Sequence, residues 1–250
     1  MTRALIAVTG VDYWTLADRS RHPSGYWPEE LSTPHQIFAD AGITITVATP
    51  GGAVPTADPA GFNPEYHGGR PEQAQRVKDH LASIAELRSP EILEDVDVAD
   101  FDFVFVPGGW GPMEDLAVSD SFGSLLRQFA DADKPVAAVC HGPAALLPAH
   151  DDEGEWLFKG RRVTGFSNAE EYAVGFAPKA RWLVEDRLRA AGGLYSSAPG
   201  EWAEFVVVDG NLYTGQNPAS AAALAERLVR DTAQNTSIVR TLTPSTASRF

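Results

Sequence analysis

Apolar residues in this chain gather in short blocks separated by glycine, proline and charged turns. Residues 4–8, Ala-Leu-Ile-Ala-Val, form the first block and predict a buried strand. A polar loop carrying aromatic residues follows over 10–25. Pro28, Glu29 and Glu30 then open a predicted helix over 28–41, since proline suits a first turn and carboxylates suit the positive helix end. Gly42 fits the position just past its end. Residues 43–48 alternate apolar and β-branched side chains and predict a second strand. The chain therefore opens as strand, helix, strand, the order of a βαβ unit.

Residues 51–70 break this rhythm. Glycine and proline punctuate them, and the stretch is too long for an ordinary connection. Ala74, Val77, Leu81, Ile84 and Leu87 then recur near helical spacing and predict an amphipathic helix over 71–87. Residues 51–98 read as an insertion that caps one end of the sheet, with Phe62 and Tyr66 available to dock it. Further strands are predicted over 101–106, 136–139 and 162–166, and helices over 116–130 and 181–191. Asp209-Gly210 joins strands over 205–208 and 211–214 into a hairpin. A last helix runs from 216 to 231. Residues 233–250, rich in Thr and Ser, predict a loose tail. No internal repeat is present. The result is one α/β domain over 1–232: a mostly parallel, flavodoxin-like sheet sandwiched by helices, with a cap-like insertion.

Composition narrows the function. The chain has 250 residues, 44% of them hydrophobic, enough for one large domain. No apolar run is long enough to span a membrane. The apolar start lacks the features of a signal peptide. A net charge of −14 argues against nucleic acid and anionic membranes as partners. The single cysteine excludes an internal disulfide framework and a Cys-rich zinc site, and points to a cytoplasmic protein. His22, His35, His67, His80 and His150 show no metal-ligand spacing, so no metal is expected. They read as surface or packing residues, with His22 available to line a pocket.

In sheets of this kind ligands bind beyond the carboxyl ends of the strands. Residues 10–30, 108–111, 140 and 167–171 all follow strand ends and so share one rim. Cys140 stands there at a strand-to-helix turn between the small residues Ala138 and Gly142. A lone cysteine most often simply packs. This one occupies the place where a fold lifts a nucleophile out of the sheet. A helix N-terminus would favour thiolate, and backbone N–H groups would hold an oxyanion. His141 can act as a base or through its backbone N–H. Glu170 and Glu171 are candidates to orient it, or form a solvated pair at a helix start. Glu29 and Glu30 have the same plain reading. Alternatively one of them turns inward against the thiol, where burial raises its pKa and allows it to shuttle a proton. Gly108-Gly109-Trp110-Gly111 lets the backbone approach a ligand but lacks the lysine and Ser/Thr of a phosphate loop.

Several motifs occur in order: Ser24-Gly25 with Glu30, Pro34, Gly109-x-Gly111, Ala138-Val139-Cys140-His141-Gly142-Pro143-Ala144, Thr164-Gly165-Phe166 followed by Glu171, and Thr214-Gly215-x-Asn217-Pro218-Ala219-Ser220. On these the chain resembles the ThiJ/PfpI superfamily, whose fold is like that of class I glutamine amidotransferases. It is most similar to the branch of heat-shock chaperones and cofactor-independent glyoxalases. The resemblance implies that Cys140 is the nucleophile, His141 its partner, Glu171 the third member, and Glu30 the carboxyl that hydrogen-bonds the thiol. Gly109 and His141 would supply oxyanion N–H groups. It implies a small carbonyl substrate, methylglyoxal converted to D-lactate, no cofactor, and a homodimer. Relatives often carry histidine where this chain has Trp110, which would narrow the pocket or remove a substrate contact.

Two other functions fit the same residues. One is a hydrolase or amidase acting through a thioester. The other is a stress chaperone or redox sensor. There an exposed thiolate would oxidise to sulfinate, and an apolar surface suited by the aromatics Tyr13, Trp14, Tyr26 and Trp27 would hold unfolded clients.

Overall fold

The computed structural model describes residues 1–242. In chain order its elements are β1 (Arg3–Ala7), β2 (Tyr13–Thr15), β3 (Arg21–Pro23), α1 (Pro28–Asp40), β4 (Thr44–Thr49), α2 (Pro71–Ser83), β5 (Glu91–Ile92), β6 (Phe103–Val106), α3 (Asp120–Asp131) and β7 (Val136–Val139). There follow β8 (Arg162–Val163), α4 (Asn168–Ala173), α5 (Val184–Ala190), β9 (Leu194–Tyr195), β10 (Val206–Asp209), β11 (Leu212–Gly215) and α6 (Ala221–Leu242). Seven strands form the main sheet in the order β10-β11-β7-β6-β1-β4-β5. Pairing is parallel from β11 to β5. The edge strand β10 runs antiparallel, folded back on β11 through Gly210 at φ +54°.

Successive strand residues point to opposite faces. Leu5, Val104, Val136 and Ala138 meet α3 through Phe122, Leu125, Leu126 and Phe129. Ile6, Phe103, Phe105, Ala137 and Val139 meet α1 and α6 through Leu31, Phe38, Leu224 and Leu228. Both faces are covered, which is why the central strands read as unbroken apolar runs. Phe38 sits edge-on to Phe103 and Phe105, with centroids 5.1 and 5.6 Å away. Removing a side chain of this size from water contributes roughly 1.5–3 kcal/mol.

The insertion docks on the α1 side. Val77, Leu81, Ile84 and Leu87 bury their side chains there. The cap helix ends at Ser83 because Ile84 is extended (ψ 107°), and Leu87 reaches the core from a separate 3₁₀ turn. β5 adds to the sheet edge beside β4.

Other differences have local causes. The loop expected over 10–25 contains a small hairpin, with Trp14 opposite His22. The helix expected from 116 starts at Asp120, where the Ser119 hydroxyl accepts from Phe122 N–H (3.2 Å); a 3₁₀ turn occupies Leu116–Val118. The strand expected over 162–166 is only β8, paired with β9 in a separate two-stranded sheet. Its continuation is diverted: Thr164 N–H donates to Thr214 Oγ1 (3.0 Å) and Phe166 N–H to Cys140 O (2.7 Å). The helix expected over 181–191 is α5, shorter at its start. α6 continues to Leu242, so the first ten residues of the expected tail are helical. No glycine or proline interrupts the sequence there. Residues 243–250 of that tail lie outside the described residues. No described helix is long and apolar enough to cross a membrane.

Candidate active site

β7 delivers Cys140 to the carboxyl edge of the sheet. The residue takes φ +61°, a left-handed conformation that costs a residue with a Cβ about 1–2 kcal/mol. Two backbone hydrogen bonds hold it. Its N–H donates to Gly215 O (2.9 Å), and its carbonyl accepts from Phe166 N–H (2.7 Å). The chain then enters a 3₁₀ turn over Gly142–Leu146 rather than the expected α-helix. A five-residue turn aligns few peptide dipoles, so its pull on a thiolate is small.

His141 lies beside the thiol, with Nδ1 3.3 Å from Cys140 Sγ. Its Nε2 is 2.7 Å from Glu171 Oε2. A carboxylate only accepts, so Nε2 carries the proton and Nδ1 turns its lone pair to the thiol. All three side chains are buried. Glu171 Oε1 accepts from the Trp110 indole N–H (3.0 Å). Trp110 is itself held by near-parallel stacking on Trp14, with centroids 5.5 Å apart. Far from merely removing a contact, the tryptophan fixes the acid that orients His141. His22 packs against Trp110 and Phe176, behind the pocket wall.

Glu170 does something else. It accepts from Ser167 N–H and Oγ, Trp202 N–H and Asn217 Nδ2, all within 3.0 Å. Ser167 and Glu170 form a reciprocal capping box at the start of α4. The sequence carried that signal: Ser-x-x-Glu assigns Glu170 to the cap and leaves Glu171 free for the histidine.

Glu30 is fully buried beneath the thiol. Its Oε2 accepts from Gly108 N–H (2.8 Å). Oε1 is buried without a well-formed hydrogen bond, and the Cys140 thiol is its polar neighbour. Burial raises this carboxyl to about 8, against the lowering effects of the thiol and of Gly108 N–H. Burial pushes the Cys140 thiol up as well, and negative charge on Glu30 pushes it further, while Gly109 N–H opposes. The expectation of a thiol biased to thiolate by a helix is therefore reversed. Both groups are thus disposed to hold their protons, and at neutral pH the protonated Glu30 lacks the charge that most disfavours thiolate.

The close approach needs glycine. A Cβ on Gly108 would lie 2.6 Å from Glu30 Oε2 and 2.8 Å from Cys140 Cβ. Gly109 has φ +88°, and a Cβ there would fall 2.4 Å from Gly25 O. Gly111 donates its N–H to Gly25 O (3.1 Å) and does not line the cavity.

A cavity of about 740 Å³ opens over Cys140 and His141. Trp27, Tyr66, Trp110, Phe166 and Trp202 supply aromatic rings to its wall. Glu29 and Glu65 stand on it too. Tyr66, Glu65 and Trp202 were not anticipated as site residues. They come from the cap and from a segment without periodicity, and no local pattern marks them. Cys140, Trp14, Tyr26 and Trp27 are buried rather than displayed as a surface. Among the described residues no group of three His, Cys, Asp or Glu side chains is arranged to hold a metal ion.

Residues 24–231 match the DJ-1/PfpI family. The chain is 36% identical over 193 residues to the glutamine amidotransferase-like class 1 domain-containing protein 1 of Bos taurus, covering 77% of this chain and 82% of that one. It is 27% identical over 234 residues to glyoxalase 3 of Candida albicans, covering 92% and 98%. The crystal structure of glyoxalase III from Candida albicans superposes with a TM-score of 0.78 at 26% identity, covering 92% of this chain and 96% of that chain.

Proposed function

This chain belongs to the DJ-1/PfpI family, and we propose that it is a cofactor-independent glyoxalase, converting methylglyoxal to D-lactate through Cys140. The observation that carries the reading is the strained cysteine itself. It faces a cavity, with a histidine 3.3 Å away whose far nitrogen is fixed by a buried glutamate. The similarity to glyoxalase 3 along nearly the whole chain supports it.

The sulfur adds to the aldehyde carbon, and the thiol proton passes through His141 Nδ1 to the new hydroxyl. His141, which lines the cavity, then takes the hydrogen from that carbon and returns a proton to the neighbouring one, while the proton of the new hydroxyl passes to the former ketone oxygen. The first carbon is oxidised and the second reduced, so no external redox partner is needed. The product is a thioester. Water attacks it, the S–C bond breaks, and lactate leaves as the thiol regains its proton. Covalent attachment keeps the proton transfer intramolecular. Glu30, protonated under the sulfur, keeps its charge away from the thiolate.

The N–H groups of Gly109 and His141 donate to no protein oxygen among the described residues. They are the donors for the developing oxyanion. Thioester hydrolysis would also serve an amidase. The similarity to glyoxalase 3 over 92% of this chain favours the aldehyde reading. The test is D-lactate formation from methylglyoxal without added thiol, measured with D-lactate dehydrogenase. Cys140→Ala should make none while keeping its circular dichroism spectrum. Undiminished activity in that variant refutes the assignment.

A further inference from the structure

We propose that the cavity selects carbonyl substrates bearing a positive charge, with Glu29 and Glu65 as the selecting residues. The idea rests on the glyoxalase reading for the chemistry at Cys140 and extends it to the remainder of the substrate.

The first observation is size. A cavity of about 740 Å³ falls in the roughly 300–1,000 Å³ range that holds ligands of many atoms, far beyond a three-carbon aldehyde. The substrate has room for a substituent. The second observation is the wall. Its acidic side chains are Glu29 and Glu65, and among the described residues it includes no lysine or arginine. Glu29 is partly buried and Glu65 exposed, and both line the same cavity as the nucleophile, among aromatic rings. Trp27 meets Tyr66 edge to face at 5.1 Å, and Trp202 packs by Phe166 at 5.8 Å. Ring faces and carboxylates with no lysine or arginine beside them form the environment that holds ammonium and guanidinium groups.

The third observation concerns what lies behind Glu29. His67 Nε2 is 2.8 Å from Gly61 O and must donate to it. Its Nδ1 sits 4.0 Å from Glu29 Oε2, beyond hydrogen-bond distance. Burial raises the Glu29 carboxyl and His67 only opposes this, so a bound cation would further relieve the cost of ionising it.

Three 2-oxoaldehydes that differ only in the terminal group test the proposal: one ending in trimethylammonium, one in its isostere tert-butyl, one in carboxylate. The ratio of kcat/KM for the cationic over the tert-butyl compound should be about tenfold, and the carboxylate compound should be poorest. Glu29→Gln and Glu65→Gln should each lower that ratio by about three- to tenfold. Glu65 is exposed on the cap, so its variant remains informative if Glu29→Gln fails to fold. Binding is read separately by calorimetry with choline and its neutral isostere 3,3-dimethylbutan-1-ol. Tighter binding of choline, weakened in the variants, supports the proposal even if no aldehyde is turned over, an outcome that would sink the glyoxalase reading alone. Turnover of methylglyoxal with no preference for the cationic compound, or equal binding of choline and its isostere, overturns the proposal and leaves the glyoxalase reading standing.

Discussion

Replacing Glu30 by Gln exchanges a buried acid for an amide of nearly the same shape, which still accepts from Gly108 N–H. The wild-type carboxyl moves from an ordinary value near 4.5 to about 8 on folding, chiefly through burial. A raised value means the native state holds its proton more tightly than the unfolded chain. The corresponding stability is complete below pH 4.5 and is lost progressively as pH rises towards 8. Glutamine has nothing to lose over that range. At about 1.4 kcal/mol per pH unit, the stability gap between variant and parent should widen in the variant's favour by about 3 kcal/mol from pH 5.5 to pH 9. The measurement is urea unfolding across that range, made in a Cys140→Ala background so that the thiol cannot titrate. Losing the thiol removes a neighbour that lowers the carboxyl, so the effect survives in that background. A gap independent of pH would mean that Glu30 is ionised in the fold, and its protonation at neutral pH would have to be abandoned.

Other perturbations separate the roles further. Glu171→Gln disturbs the hydrogen bond that sets the His141 tautomer and should reduce kcat by about 10²–10⁴, with the fold unchanged by circular dichroism; an undiminished kcat would dismiss its orienting role. Trp110→Phe keeps the stacking on Trp14 but removes the N–H bond to Glu171, a charge-assisted bond worth about 1.5–3 kcal/mol. It should lower kcat about tenfold with little change in KM, whereas a rise in KM alone would make Trp110 a binding wall only. Asp133 is exposed at φ +53° just past α3. Asp133→Gly should stabilise the protein by about 0.5–1 kcal/mol and raise Tm by about 2–3 °C, read by calorimetry.

The sequence exposes what is local. Apolar runs mark the strands because both sheet faces are covered, and Cys140 is marked by an apolar run that ends between small residues. The opening βαβ unit is legible for the same reason, with Pro28 and Gly42 bracketing α1. The antiparallel edge is carried by the turn chemistry of Asp209-Gly210. What stays hidden depends on distant atoms. Val163 is followed by the β-branched Thr164 and by Phe166, yet the strand stops because these find partners on β11 and at Cys140. Trp202 reaches the cavity from a segment without a repeat, in a left-handed conformation (φ +64°) with its N–H held by Glu170. The thiol's environment is hidden too. A helix start can be read along the chain, whereas burial of Glu30 beneath the sulfur needs Gly108, 78 residues away.

Two helix starts in this chain carry adjacent glutamates, and adjacent residues on a helix differ by about 100° in direction. At α1 that angle sends Glu30 under the sulfur and Glu29 to the cavity wall. At α4 it sends Glu171 to His141 and Glu170 into the capping box. Each doublet is thus a coarse rotary setting, with one acid assigned to chemistry and its neighbour to recognition or support. Inserting a single residue ahead of either doublet would turn the setting by one notch, moving the first acid into the second's place and the second out of the site.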